Sequence, residues 1–432
     1  MKARYVMGFA SMVASITTAY YPSCDSLLRD QLLVYCTDQA IRDSLLGLET
    51  IQRVKTPIIQ GSCPLLDAHP KLTESISYLS LGSFPTPILR LETISSLVGH
   101  TVLLKHDGLS GATIDGTKMY GGNKIRKLEF LFADALSLGV SDVFTFGGAG
   151  SNHALATSIY AQRLGLKATC FLLPQYNSRN VRSNLLAHAA QGSTLRYYPS
   201  RALRNNAVIT HALDSLALTG TLPYIIPTGG SSPVGILGFV NAVYELALQI
   251  KDGMPCPDVI YVALGSYGSY AGLLLGVELL QLPCSVIGIA IEPITNAHVV
   301  EESILSLIES TRSLILQSDQ TISLEPFDKN RITIIYSAGG QDYGLFTDEC
   351  VQAVRLVAEQ EQITLDGTYT GKAFAGVLED LKKRTTRPLT VLYWHTFSAH
   401  DNHTQSSAID YTNLPIALRD YFIHKVQPLD QY

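Results

Sequence analysis

The sequence predicts an α/β fold with mostly parallel sheets. Two patterns carry that expectation. From about Leu79 onward, short apolar, β-leaning runs alternate with helical patterns, as in parallel sheets joined by crossover helices. Glycine-rich loops stand where those runs give way to helices, as in "FTFGGAGSNHALA" and "VALGSYGSYAGLLLG". Open sheets bind ligands at such loops, and anions often sit at the following helix N-terminus. Composition supports a large core: the 432 residues are 46% hydrophobic and 16% charged, more apolar and less charged than an average soluble domain.

The elements follow in order. "MKARYVMGFASMVASITTAYY" opens with Lys2 and Arg4 and runs through small, mildly apolar residues to about Ala19. That loosely fits a signal peptide, but Ser and Thr dilute the run and no small-x-small site precedes Tyr20. It is read as an N-terminal helix, and the protein as cytoplasmic. Residues 1–75 place apolar residues at mixed three and four spacings and are expected to form a helical extension. Strands are then expected in "TVLLKHD", "SDVFTFGG", "LKATCFLLP", "DVIYVALG", "CSVIGIAIEP" and "RITIIYSAGG". No run of about 18 unbroken apolar residues occurs, so no membrane span is expected. The net charge of −5 gives no sign of the basic patch that nucleic acid requires. The seven cysteines are scattered without a C-x-x-C pair, so neither a disulfide framework nor a metal site is expected.

Several short constellations could carry chemistry. "KMYGGNKIRKLEF" puts Lys124 behind Gly121, Gly122 and Asn123. Alone, that is a tight turn before a solvated helix start. A partly desolvated lysine there could instead be neutral and form an imine. Arg126 and Lys127 are read as ordinary solvated charges. In the second loop, Ser151, Asn152 and His153 open a helix, either as an N-cap or as an anion site. In the third, Gly265, Gly268 and Gly272 interleave with Ser266 and Ser269, which suggests a phosphate cradle but matches neither a P-loop nor a dinucleotide fingerprint. "GGQDYG" contributes Tyr343, "LDGTYTGKAF" contributes Tyr369, Thr370 and Lys372, and "TVLYWHTFSAHD" ends a strand at His395 and Thr396. A lysine, a phosphate loop and a strand-end hydroxyl together match one cofactor, pyridoxal 5′-phosphate, which needs an imine partner, a phosphate site and a partner for its ring nitrogen.

The wording and order of these segments carry a resemblance. From about Leu79 to about His400 the chain resembles the D-cysteine desulfhydrase and 1-aminocyclopropane-1-carboxylate (ACC) deaminase family, tryptophan-synthase-β-like enzymes of pyridoxal-phosphate fold type II. The matching text is "FPTPILRLETIS", "GGNKIRKLEFLFADAL", "GGAGSNHALATSIYAQRLGLK", "IPTGGSSPVGILGFVNAVYELA", "YGLFTDECVQAVRLVAEQE" and "LDGTYTGKAFAGVLEDL". The resemblance implies a two-lobed, three-layer α/β/α catalytic domain over residues 76–425, with the smaller lobe at about 126–236 and the cofactor between the lobes. It implies that Lys124 forms the imine with the cofactor and later moves protons, and that Asn152 holds the cofactor's 3′-oxygen. The substrate carboxylate would meet Ser151, Asn152 and His153. Gly265, Ser266, Tyr267, Gly268 and Ser269 would bind the phosphate, Tyr343 and Tyr369 would face the substrate, and Thr396 would bond the ring nitrogen. A small amino acid is the implied substrate and a homodimer the implied assembly.

Two positions choose within the family. ACC deaminases resemble "VYEGK", with a glutamate to the ring nitrogen, where this chain has "TYTGK" and Thr370. A carboxylate would hold that nitrogen protonated and make the ring a stronger electron sink. Thr370 and Thr396 therefore favour a desulfhydrase-like β-elimination over ACC deamination or racemisation. The chain also departs from the family. The usual "HTGG" reads "HTFS", which brings in Phe397 and Ser398 and raises a cofactor-binding homologue without turnover as the alternative of another class. "KHDG" replaces an acidic segment, Tyr267 and Tyr270 enter the phosphate loop, and the linker before Lys124 is long.

Overall fold

The computed structural model describes residues 23–36, 39–46, 49–51, 55–114, 116–384, 386–398 and 409–430. The signal-like stretch lies outside these residues. Strand β1 (Ile88–Arg90) precedes β2 (Thr101–His106), and helix α1 (Lys124–Ser137) follows. The alternation then runs β3 (Asp142–Gly148), α2 (Asn152–Arg163), β4 (Lys167–Leu173), α3 (Arg179–Ala190), β5 (Thr194–Tyr197), α4 (Arg201–Thr219) and β6 (Tyr224–Ile226). Helix α5 (Pro233–Lys251) leads into β7 (Val259–Leu264), α6 (Gly268–Leu279), β8 (Ser285–Ala290), α7 (Ala297–Ser318) and β9 (Thr333–Ile335). Helices α8 (Asp348–Glu361) and α9 (Thr370–Lys383), strand β10 (Thr390–His395) and helix α10 (Ile416–Ile423) complete the chain.

The strands form two main sheets. The smaller has the order β5-β4-β3-β6, and all its pairs are parallel. The larger has the order β9-β8-β7-β10-β2-β1, parallel except where β1 meets β2. Helices cover both, which is why "DVFTFGG" and "VIYVAL" read as nearly unbroken apolar runs rather than alternating ones. Helix starts were written locally. Ser151, Ser178, Ser200 and Ser232 each accept a hydrogen bond from the backbone N–H three residues on. Helix α5 is long and apolar enough to cross a membrane, but it packs among α1, α6 and α7 and is mostly buried, as a helix apolar on all sides must be in a large core. Gly272 belongs to that packing, not to a phosphate cradle: a Cβ there would lie 2.5 Å from the Cβ of Phe239 on α5.

Two described segments before residue 76 pack on different lobes. The helix Ser26–Leu33 buries Leu28, Leu32 and Leu33 in the small lobe's core, and Gln31 Oε1 accepts from the N–H of Ile225 at 3.0 Å on edge strand β6. Pairing an exposed edge in this way removes an aggregation-prone surface. Further on, Leu65 N–H donates to Asn241 Oδ1 at 2.9 Å, and His69 bonds the Tyr244 hydroxyl at 2.7 Å, both on α5.

One buried polar cluster ties the lysine-bearing helix to the large sheet. Arg126 on α1 donates to Asp107 at 2.7 and 3.0 Å and to Glu245 of α5 at 2.8 Å. Lys105 of β2 pairs with Glu245 at 2.5 Å, and Trp394 Nε1 of β10 donates to Asp107 at 2.7 Å. Arg126 and Lys127 are 1% and 0% exposed, so the expectation that both are solvated is wrong. Helical periodicity marks them as ordinary surface charges only if no partner waits across the core, and here two carboxylates meet Arg126 while Gly229 O and Ser231 Oγ meet Lys127. Burial pushes the Glu245 carboxyl up, but Arg126 and Lys105 outweigh it and hold it at about 2. Removing one member leaves buried charge uncompensated, which costs about 3–5 kcal/mol. Arg126→Ala is expected to lose stability in that range in urea unfolding, and a loss below about 1 kcal/mol would show that the cluster is not a support.

Candidate active site

A cleft of about 1500 Å³ opens between the lobes. Its lining comes from the C-terminal ends of β3, β7, β8 and β10 and from the turn before α1, the edge of parallel sheets where ligands collect. Lys124, Ser151, Asn152, His153, Gly265, Ser266, Tyr267, Ser269, Tyr343, Tyr369 and Thr396 all line it. Gly268 does not, and its N–H is already directed at Ser231 Oγ, 3.2 Å away.

The turn before Lys124 is stitched to the end of β10. Asn123 N–H donates to Thr396 O at 3.2 Å, and Gly121 N–H to Ser398 Oγ at 3.2 Å. Gly122 has φ of +91°, and a Cβ on it would meet Thr396 O at 3.2 Å, so both conformation and space demand glycine. Ser398 of "HTFS" therefore anchors the turn, while Phe397 forms part of the cleft wall. Lys124 is the first residue of α1, and its Nζ donates to Asn123 Oδ1 at 2.9 Å. Asn123 Nδ2 in turn donates to Ser269 Oγ at 3.0 Å, which joins the lysine to the loop before α6. Burial lowers the Lys124 amine to about 8 against the opposing charges of Asp366 and Asp107.

Around the loop between β7 and α6, Ser231 Oγ donates to Ser266 Oγ at 2.9 Å. Lys127 Nζ donates to Gly229 O at 3.0 Å and reaches Ser231 Oγ at 3.4 Å. Tyr267 adopts the left-handed region, with φ of 65°, immediately before α6. The first N–H groups of that helix lack intrahelical acceptors. A buried amine, hydroxyls and a helix start make a site that an anion would favour, since burial and Lys124 push the Lys127 amine well below its usual value and a bound anion would restore its proton. Lys127 and Ser231 are the members that sequence reasoning missed. The signal was there: Lys127 follows Lys124 by three residues, so the two share a helix face. Tyr270, by contrast, faces away: its hydroxyl accepts from Thr333 N–H at 2.8 Å and donates to Thr333 O at 2.9 Å, clamping α6 to β9.

At the start of α2, Ser151 Oγ caps the helix by accepting from Ala154 N–H at 3.2 Å. Asn184 Nδ2 donates to the backbone oxygen of Gly150 at 2.9 Å and to Asn152 Oδ1 at 2.7 Å. The backbone acceptor fixes which end of Asn184 is the amine, so Asn152 must turn its own Nδ2 away from Asn184. His153 is buried, and neither ring nitrogen makes a well-formed protein hydrogen bond, with the Pro227 backbone the acceptor that acts on it. Burial and the charges of Lys124 and Lys127 keep its imidazole neutral, with its pKa well below the usual value.

Tyr343 and Tyr369 meet hydroxyl to hydroxyl. Burial pushes the Tyr343 phenol up to about 12 and the Tyr369 phenol well above its usual value, so both stay protonated and the pair keeps one proton to give. Two devices hold the pair. Lys372 Nζ donates to Ile291 O, Gly339 O and Asp342 O at 2.8 to 3.2 Å, bracing the loop before Tyr343. Asp366 accepts the N–H groups of Thr368, Tyr369 and Thr370 and the Thr370 hydroxyl, at 2.7 to 3.0 Å. Thr370 is thus buried and its hydroxyl bonded to Asp366. Glu292, at the end of β8, also lines the cleft, and burial raises its carboxyl while Arg201 opposes the rise. Only its place in "IAIEP", just past a strand, hinted at it.

These donors fit pyridoxal phosphate: an amine depressed toward neutrality, an anion cradle backed by Lys127, and, at a helix start, a buried imidazole with no well-formed hydrogen bond. The sequence profile of the family described as pyridoxal-phosphate dependent enzyme matches residues 79–396. The chain belongs to that family. It is 36% identical over 332 residues to a Pyrococcus abyssi protein provisionally named a 1-aminocyclopropane-1-carboxylate deaminase, covering 76% of this chain and 94% of that one. It is 33% identical over 328 residues to a Klebsiella pneumoniae protein named D-cysteine desulfhydrase, covering 74% and 94%. The crystal structure of an ACC deaminase homologue superposes with a TM-score of 0.65 at 33% identity, over 82% of this chain and 99% of that one. A threonine deaminase structure at 20% identity and a TM-score of 0.50 shares the fold. The protein is a pyridoxal-phosphate-dependent enzyme of fold type II, and its family acts on small amino acids.

The neutral amine is the form that attacks the cofactor's aldehyde. Lys124 is protonated below about 8 and neutral above it. The rate at which cofactor-free protein captures pyridoxal phosphate, followed in the visible band, should rise about tenfold per pH unit below 8 and level off above it. Asn184→Ala is expected to weaken cofactor retention about tenfold in a spectrophotometric titration, the worth of one well-directed hydrogen bond; unchanged affinity would mean that Asn152 needs no such support.

Proposed function

We propose that the protein catalyses a D-cysteine desulfhydrase-like β-elimination, giving pyruvate, ammonia and sulfide. One observation carries this choice. Thr396 lines the cleft at the end of β10, and its hydroxyl is the group we assign to the cofactor's ring nitrogen. The carboxylate of Asp366 also lines the cleft, but its acceptor positions are taken up by three backbone N–H groups and the Thr370 hydroxyl. A hydroxyl does not hold the ring nitrogen protonated as a carboxylate would. Expelling a thiolate needs less electron withdrawal than opening a cyclopropane, so the site suits the former.

The cofactor, when bound, supplies an aldehyde to be captured and a ring that withdraws electrons from the substrate's Cα. The protein does the rest. Lys124 would hold the cofactor through its amine and would take the proton from the substrate's Cα. Asn152 donates its Nδ2 to the cofactor's 3′-oxygen, in the orientation Asn184 imposes. Gly265, Ser266, Tyr267 and Ser269 would hold the phosphate, with Gly268 shaping the turn behind them and Lys127 and Ser231 adding an amine and a hydroxyl. Ser151 and His153 receive the substrate carboxylate at the start of α2, where N–H groups point outward. Tyr343 and Tyr369 share hydrogen bonding so that one phenolic proton remains to meet the departing sulfur. The Cα–H electron pair becomes the Cα=Cβ bond, the Cβ–S pair leaves as hydrosulfide, and the enamine hydrolyses to pyruvate and ammonia. Residues 1–75 as an extension, residues 76–425 as the catalytic domain with its smaller lobe at about 126–236, and a cytoplasmic homodimer belong to the same reading and rest on the sequence resemblance.

The test is a side-by-side assay. Sulfide and pyruvate from D-cysteine should exceed α-ketobutyrate from ACC at least about tenfold in kcat/KM. Tyr343→Phe should lower turnover about 10²-fold, the usual contribution of one positioned acid. Faster turnover of ACC, or racemisation without sulfide release, would replace this reading. Intact cofactor absorbance with no turnover of either compound would make the protein a binding homologue.

A further inference from the structure

We propose that the cleft accepts an amino acid carrying a negatively charged group at the far end of its side chain, and that Arg204 and Tyr35 form the subsite for that group. This rests on the β-elimination reading above and names the substrate class for it.

Arg204 lies in the first turn of α4 on the cleft wall, and only 7% of it is exposed. Its Nε and Nη2 donate to a single neutral acceptor, Asn205 Oδ1, at 3.2 and 2.8 Å. Among the described residues no carboxylate pairs with it. The groups acting on its charge are the Tyr35 phenol and the like-charged Arg201, while Arg201 itself lies toward Glu292. Burial disfavours a guanidinium that has no counter-charge. The Phe146 ring, 5.1 Å from its centre, offsets part of that. An anion in the cleft would offset the rest.

Tyr35 completes the pocket from outside the family's shared region, residues 79–396. It follows the helix Ser26–Leu33, stacks on Phe146 at 4.5 Å and 15°, and lines the cleft. Burial pushes its phenol up to about 12, so it keeps a proton to donate. Phe146 is thus covered by Tyr35 and by Arg204, and both present polar ends to one space. A cysteine whose sulfur carries a short acidic chain suits it. The same elimination then breaks the Cβ–S bond, the acidic thiolate leaves with that electron pair, and the enamine hydrolyses as before.

The experiment uses holoenzyme and a matched pair of substrates, S-carboxymethyl-cysteine and its neutral isostere S-carbamoylmethyl-cysteine, each in D and L forms. The acid should exceed the amide at least about tenfold in kcat/KM, the worth of one charge-assisted bond. Arg204→Gln should bring that ratio below about twofold, Arg204→Lys should keep part of it, and Tyr35→Phe should lower it about threefold. Calorimetry supplies a readout independent of turnover: glutarate should bind at least about tenfold more tightly than its monomethyl ester, with the same dependence on Arg204. A wild-type ratio near one in calorimetry, or a preference that survives Arg204→Gln, overturns the subsite. If neither cysteine derivative is cleaved while glutarate keeps its Arg204-dependent preference, the elimination reading falls and the subsite stands.

Discussion

The structure depends on a buried exchange of charge between Arg126 and the two carboxylates of Asp107 and Glu245. Lys105 balances the second carboxylate and Trp394 adds a neutral donor to the first. This joins α1 to β2, α5 and β10 without leaving a net buried charge, the condition under which such a cluster can exist in a core. A purely apolar contact would hold α1 as firmly, but it would tolerate sliding. Directional bonds from one planar guanidinium to two carboxylates fix the helix's rotation and its height.

That fixing decides what the two neighbouring lysines do. Residues 124, 126 and 127 lie within one turn of α1. At about 100° per residue, Lys124 and Lys127 share a face and Arg126 points away from it. With Arg126 anchored in the large lobe's core, the opposite face must look into the cleft. Lys124, at the helix start, reaches open space beside Asn123. Lys127, one turn deeper, ends against Gly229 O and Ser231 Oγ. Both amines are pushed down by burial, but Lys124 is available to react while Lys127 is held by its two acceptors.

Much of this was legible because it is local. The strand–glycine–helix alternation, the serine caps, the Gly-Gly-Asn-Lys turn and the two tyrosines are each written within a few residues, and the structure brings them to one cleft. What was illegible depends on partners far away in sequence. Arg126 read as solvated because Asp107 and Glu245 are 19 and 119 residues distant. Thr370 is the exception: Asp366, which claims its hydroxyl, stands only four residues before it. Gly272 read as part of a phosphate loop because the approach of α5 cannot be seen in "GSYGSYAG". Tyr35 had no reading at all, since its segment reaches the site only by packing on β6. Helix α10 and the chain beyond it act similarly at the other end: Gln427 joins Asn177 of the small lobe to Phe346 and Gly344, beside Tyr343.

The central claim is that this anchoring makes Lys124, and no other buried lysine, the amine that holds the cofactor. The direct measurement is borohydride reduction of the cofactor-loaded protein followed by peptide mapping of the pyridoxyl label. The structure predicts a label on Lys124 alone, with Lys127 and Lys372 unmodified. A label on Lys127, or on Lys372 with its three carbonyl acceptors, would contradict the account.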